Sequence, residues 1–258
     1  MEIGAPILPL YVVEPGYWAG PDVSARQWAF TAECLSDLRA GLAALGAPLL
    51  VRVGEAEAVL AALAADHHAD RIVSHEETGN AWTYARDRRV AAWARATGIA
   101  WEELPQAGVV RRLDTRDGWA ARRERWLRQP LLAAPAGLPT LPGLDPGRIP
   151  GVGELGLAAD PCPDRQQGGR AAAQGLLDSF LAERGQTYRR AMSSPTAGEQ
   201  ACSRLSPHLA LGTLSGREAH QAALRRRAEV RGRRDGWSGS MASFTARLAW
   251  RDHFMQKL

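Results

Sequence analysis

Four short apolar runs set the strongest limit on what this 258-residue chain can fold into. Residues 7–13 (Ile-Leu-Pro-Leu-Tyr-Val-Val), Leu49–Val53, Arg71–Ser74 and Ile99–Leu104 are too short for helices and rich in β-branched residues, so each reads as a buried strand. Helical spacing fills the intervals. After a cap at Asp22, residues Trp28, Ala32, Leu35, Leu38, Leu42 and Leu45 mark one face until Gly46 stops the helix. Glu55–Ala65 turns Val59, Leu60 and Leu63 inward, and Trp82–Thr97 forms a third helix. Continuous apolar strands alternating with helices predict a parallel sheet covered on both faces. Right-handed crossovers make it an open, doubly wound α/β domain. The first run starts almost at the first residue, and sheets of this kind ordinarily place another strand beside the first helix pair. A further strand ahead of residue 7 is therefore expected.

The texture changes at Pro105. Between there and Pro163 the chain is punctuated by Pro130, Pro135, Pro139, Pro142, Pro146, Pro150 and Pro161, with glycines between them. Apart from a helix over 115–128, this stretch reads as a surface linker between domains. From Gly169 the period is helical again. Ala172, Leu176, Leu177, Phe180 and Leu181 form an amphipathic face, and Leu205–Leu211, Ser215–Arg227 and 243–258 follow as helices without any strand. The predicted organisation is an α/β domain over 1–110, a linker over 111–165 and an all-α region over 166–258.

Composition narrows the function classes. Hydrophobic residues make up 45% and charged residues 23%, an ordinary globular balance. No run approaches the roughly 20 apolar residues that span a bilayer. The N-terminus lacks the pattern of a signal peptide. Cys34, Cys162 and Cys202 are far apart, which argues against a disulfide framework or a zinc knuckle and for the cytoplasm. From residue 201 onward ten arginines and Lys257 face Glu218, Glu229, Asp235 and Asp252. Guanidinium forks bind phosphate in pairs of hydrogen bonds, so this basic segment suits nucleic acid or a pyrophosphate.

Two segments carry more specific chemistry. Tyr188-Arg-Arg-Ala-Met-Ser-Ser-Pro195 precedes Cys202-Ser203-Arg204-Leu205-Ser206-Pro207-His208, a serine-bearing loop that opens a helix. Such a loop offers backbone N–H groups and the positive helix end to phosphate, with Ser203, Ser206 and Tyr188 as hydroxyl donors. The second segment, Phe244-Thr-Ala-Arg247-Leu-Ala-Trp250-Arg251-Asp252-His253-Phe254, puts most of its aromatic and arginine side chains on one broad helix face. Other local patterns are set aside. His75-Glu76-Glu77 lacks the second histidine of a zinc helix. His67 and His68 are adjacent and cannot share a metal from a helix. The GxGxxG run Gly151–Gly156 follows no strand.

In order and spacing these two segments resemble the FAD-binding domain of the photolyase/cryptochrome family. Residues 6–15, with Thr83-Tyr84-Ala85-Arg86-Asp87, resemble its α/β antenna domain. The resemblance implies an α/β doubly wound domain followed by part of an all-α FAD-binding domain, cut short at both ends. It implies FAD contacts from Tyr188, Cys202, Ser203, Arg204, Leu205, Ser206, Phe244, Arg247 and Arg251. It also implies DNA-lesion contacts from Trp250, Arg247 and Arg251. UV-damaged DNA is the implied partner, and the implied activity is blue-light-driven electron transfer from reduced FAD to a pyrimidine dimer.

The sequence departs from the family pattern at three places. Cys202 stands where relatives commonly have threonine. Arg247 stands where repair enzymes usually carry a carboxylate. Trp82-Thr83 replaces the Asn-Glu of folate-binding members, so folate is not assigned, and a deazaflavin, another chromophore or none stays open. A complete member has many more helices after Leu258. Half a cavity would leave the flavin solvated, so this chain alone is expected to hold FAD weakly or not at all. A cryptochrome-like photoreceptor, and an inactive remnant or nucleotide-binding module, remain the alternatives.

Overall fold

The structure, a computed structural model, describes residues 5–257. Met1–Gly4 and Leu258, the outer ends of the expected first domain and last helix, lie outside the described residues. The chain divides into two compact units: residues up to Leu104 together with Ala133–Gly169, and Pro105–Leu132 together with the chain from Arg170 onward.

The first unit is α/β, with β1 (Leu10–Val13), α1 (Pro15–Trp18), α2 (Ala25–Ala44), β2 (Leu50–Val53), α3 (Ala56–His67), β3 (Arg71–His75), α4 (Ala81–Thr97) and β4 (Ala100–Leu104). β1 pairs with β2 in parallel, Leu10 opposite Leu50, and β3 with β4, Arg71 opposite Ala100. The parallel strands are as expected, but they form two separate pairs. The helix ends follow capping chemistry. α2 starts after Ser24, whose hydroxyl accepts from the Gln27 N–H, and so begins later than a cap at Asp22 would put it. Asn80 caps α4 through the Thr83 N–H. The buried core collects Val13, Trp18, Trp28, Leu35, Leu49 and Val51, all from β1, α1, α2 and the β2 region.

The segment expected to be a linker divides between the units. Residues 133–169 lie on the α/β unit. The Leu138 N–H donates to the Leu45 carbonyl (2.7 Å) and the Val51 N–H to Pro146 (2.8 Å), so loop backbone satisfies the outer edge of β2. Trp28 Nε1 donates to the Pro150 carbonyl at 2.9 Å, and Arg165 grips Glu33 with both Nη atoms. The GxGxxG run forms a 3₁₀ turn, Val152–Leu155, whose apolar side chains pack on the core. Periodicity could not reveal this, because these contacts are made by backbone and isolated side chains.

The second unit is helical: α5 (Trp119–Arg128), α6 (Arg170–Ala182), a 3₁₀ turn (Arg184–Thr187), α7 (Tyr188–Ala191), α8 (Pro195–Ala201), α9 (Ser206–Leu211), α10 (Gly216–Glu229) and α11 (Trp237–Lys257). α10 starts with a capping box in which Ser215 and Glu218 exchange side-chain and backbone hydrogen bonds. α11 begins six residues ahead of the expected start at 243. The Asp235 carboxylate accepts from the Trp237 N–H, and buried Ser240 donates to the Gln186 carbonyl at 2.8 Å, so the Ser-Gly-Ser stretch is helical through tertiary contacts. One apolar cluster from Ala173 to Leu248 forms the core.

Candidate functional site

The nominated residues gather on α7, the 202–206 loop and α11. Tyr188, at the start of α7, is buried against two phenylalanines. Its ring lies 5.5 Å from that of Phe180 and 6.0 Å from that of Phe244, and Phe180 and Phe244 are 4.8 Å apart. Burial raises the phenol's pKa, nearby Cys202 adds to the rise, and Arg247 opposes it.

Arg184 holds the loop. Its guanidinium donates to the carbonyls of Leu176 (2.8 Å) and Cys202 and reaches that of Ser203. Arg204 then takes a left-handed conformation (φ 62°), unusual for a residue with a side chain. The turn drops Leu205 into the core and leaves Ser206 exposed at the first position of α9. The hydroxyls of Tyr188, Ser203 and Ser206 make no hydrogen bond to other described residues.

α11 shows two faces. Met241, Phe244, Leu248 and Asp252 form its buried stripe, while Arg247, Trp250 and Phe254 point outward. Phe244 and Trp250 are six residues apart, about 240° around the helix, so the broad face read from sequence divides. Arg247 lies over the Trp250 ring, 4.3 Å from its centroid, and Phe254 stands edge-on to Trp250 at 6.3 Å. Trp250 is 53% and Phe254 56% exposed. Arg251 ties α11 to α9, donating to the Leu209 carbonyl at 3.1 Å. The loop thus brings Cys202, Ser203, Arg204 and Ser206 together, with Tyr188, Leu205 and Phe244 in the core behind it. Arg247 and Trp250 stand out on the surface.

Sequence reading passed over Phe180 and Arg184. Phe180 is visible only as one member of an apolar stripe, and Arg184 clamps backbone carbonyls, for which no motif exists. In the α/β unit the residues 83–87 motif also resolves. Arg86 pairs with Glu14 (3.1 Å), Asp87 (2.8 Å) and Glu77 (3.4 Å), and Glu14 in turn accepts from the Ala56 N–H at the start of α3. Among the described residues no cluster of His, Cys, Asp or Glu could hold a metal ion, and no helix is long and apolar enough to cross a membrane.

A parallel α/β unit followed by a helical unit carrying a serine loop and an aromatic–arginine helix defines a two-part α/β–α protein. The DNA photolyase family model matches residues 1–124. A deoxyribodipyrimidine photo-lyase of Halobacterium salinarum is 34% identical over 89% of this chain and 50% of its own length. A cryptochrome DASH of Natronomonas pharaonis is 29% identical over 96% of this chain and 56% of its own. The class III photolyase structure from Agrobacterium tumefaciens shares the fold, with a TM-score of 0.79 at 24% identity, over 99% of this chain and 54% of that one. The Sulfolobus tokodaii photolyase structure, which holds two FAD molecules, matches with a TM-score of 0.65 at 22% identity, over 97% of this chain and 53% of that one. The chain belongs to the photolyase/cryptochrome family and spans about half the length of these relatives.

Proposed function

We propose that this chain contributes the α/β domain and the first part of the flavin-binding domain of a photolyase-type flavoprotein acting on UV-damaged DNA. The observation that carries it is the 202–206 loop. Two serine hydroxyls without protein partners (Ser203, Ser206) lie on a backbone turned by Arg204 and clamped by Arg184, with the unpartnered phenol of Tyr188 in the core behind it. That donor set fits a pyrophosphate. Tyr188, Cys202, Ser203, Arg204, Leu205 and Ser206 would hold FAD from this side, with Phe244, Arg247 and Arg251 as contacts from α11. When bound and reduced, the flavin supplies the electron that blue light sends to a pyrimidine dimer.

The protein's own part is positioning. Exposed Trp250 presents a ring for stacking on an extruded base, and Arg247 and the arginines of the basic C-terminal segment meet phosphate. The test is an absorption spectrum of the purified chain with and without FAD, followed by light-dependent repair of a thymine-dimer oligonucleotide. A structured flavin band together with repair supports the reading. A flavin band no different from that of free FAD, together with no repair, overturns it for this chain. A second reading, a photoreceptor without repair activity, is favoured by Arg247 in place of the carboxylate of repair enzymes. Bound flavin with no repair would select it.

A further inference from the structure

In the helical unit, Arg116 and His253 share a hydrogen bond whose direction is fixed by chemistry. Arg116 Nη2 lies 2.8 Å from His253 Nδ1. A guanidinium has only N–H donors and stays charged, so Nδ1 accepts. A neutral imidazole that accepts at Nδ1 carries its proton on Nε2. Arg116 therefore selects one tautomer and aims the ring. Desolvation lowers the His253 pKa below the ordinary value of about 6.5, and Arg116 and then Lys257 lower it further. The Trp119 ring stands 6.1 Å behind the imidazole, and Trp119 is itself held by its Nε1 donating to the Gly108 carbonyl at 2.9 Å.

The proton placed in this way has no partner, because His253 Nε2 makes no hydrogen bond to another described residue. The two ring nitrogens point apart, so with Nδ1 turned to Arg116 the Nε2–H is turned away from it. Helix geometry shows what lies alongside. Arg247 and His253, three residues to either side of Trp250, stand about 60° to its two flanks and about 4.5 Å before and beyond it along α11. Arg247 covers one face of the indole, 4.3 Å from its centroid. A ring that stacks on Trp250 must take the other face, on the flank that His253 borders. Phe254 closes that flank, edge-on to Trp250 at 6.3 Å and to His253 at 5.6 Å. Aromatic walls suit a flat heteroaromatic ring. One neutral N–H suits a carbonyl oxygen in the plane of such a ring, whereas a phosphate is drawn to arginine.

We infer that His253 reads the base: its Nε2–H, oriented by Arg116, donates to a carbonyl oxygen of a pyrimidine stacked on the open face of Trp250. Arg116 is its positioning residue. The inference rests on the DNA reading above and adds to it a hydrogen-bond donor beside the stacking ring. Stacking alone accepts every base, so the donor is what would favour a ring bearing oxygen acceptors.

The test uses the whole chain and two labelled single-stranded probes, read by fluorescence anisotropy in the dark at fixed salt. One is an oligothymidylate; the other carries sulfur, a weak acceptor, in place of both carbonyl oxygens of each base. His253→Phe keeps a ring against Trp119 and Phe254 but has no N–H. It should weaken binding of the oxygen probe by about three- to tenfold, the worth of one hydrogen bond, and leave the sulfur probe unchanged. Nitrogen-15 NMR should find His253 protonated on Nε2 and bare on Nδ1. Arg116→Met, at an exposed position, should let Nδ1 take up its proton at higher pH. Equal losses on both probes would overturn the inference, because His253 would then act by packing. A proton on Nδ1 of the neutral ring in the parent chain would also overturn it. Trp250→Ala separates the two readings. If that variant binds as the parent does, the DNA face and the donor both fail; if it loses affinity while His253→Phe is silent, only the donor fails.

Discussion

Arg123 on α5 and Asp252 on α11 form an ion pair, Nε to Oδ2 2.6 Å, with both side chains more than nine-tenths buried. The pair fixes the 105–132 segment to the long helix, helped by the Gln256 side chain, which bonds the Val110 N–H and carbonyl. Gly108 covers it so closely that a Cβ there would collide with the Arg123 side chain. Removing one partner strands a buried charge, so Asp252→Ala should destabilise the helical unit by about 3–5 kcal/mol. The double variant Arg123→Met/Asp252→Leu should recover much of that loss. Chemical denaturation followed by circular dichroism measures both, and a double variant as unstable as the single would argue against a charge-burial cost.

Two histidines make the helical unit sensitive to acid. Burial lowers the pKa of His208, and of His220, where Glu124 and Asp252 oppose the shift and Arg123 and Arg128 add to it. Both are buried among the helices, His220 on α10. A lowered histidine pKa means the unfolded chain takes up protons first. Stability is therefore full above the ordinary histidine value of about 6.5 and falls as pH drops below it. Tm should decline between pH 7 and 5, and His220→Leu should flatten part of that decline. An unchanged pH slope in the variant would assign the effect elsewhere.

The strands and long helices were legible from apolar runs and stripes: Leu49–Val51 and the Trp28–Leu35 stripe are buried and need no knowledge of their partners, whereas β3 and β4, read from the sequence as buried, contain no buried residue. What could not be read comes from isolated long-range contacts. Residues 133–169 have no period, yet they edge β2 and cap Trp28 through single backbone groups at Pro146 and Pro150. The start of α11 was hidden because Ser238, Gly239 and Ser240 are poor helix formers that Gln186 and Asp235 hold in place. At the candidate site, Tyr188, Ser203 and Ser206 are nominated by their motif. Arg184, which shapes their loop, carries no local signature because its partners are carbonyl oxygens.

Trp250 offers a clean separation of binding from folding. It is half-exposed and touches Arg247 and Phe254, outside the buried stripe of α11. Trp250→Ala should leave thermal stability within about 0.5 kcal/mol, as for other surface positions. If the ring stacks on a base, affinity for single-stranded DNA should fall by about 1–3 kcal/mol. Fluorescence anisotropy with a labelled oligonucleotide at fixed salt reads it. Unchanged affinity would remove Trp250 from the DNA-contacting set.

Gly147 and Gly153 lie in the same glycine-rich segment yet should respond oppositely to alanine. Gly147 has φ 67°, and a Cβ there would overlap the carbonyl oxygen of Val51 on the outer edge of β2. Alanine therefore meets both left-handed strain, about 1–2 kcal/mol, and a clash with strand backbone that cannot move without breaking the Val51–Pro146 bond. Gly153 sits inside the 3₁₀ turn, where an added methyl would find no other atom within 4 Å and no left-handed backbone to strain. Alanine there removes freedom only from the unfolded chain and should be neutral or stabilising by up to about 1 kcal/mol. Denaturation midpoints of the two variants, measured in parallel, separate these cases. A Gly147→Ala protein as stable as the parent would mean that the loop does not seal the β2 edge in solution.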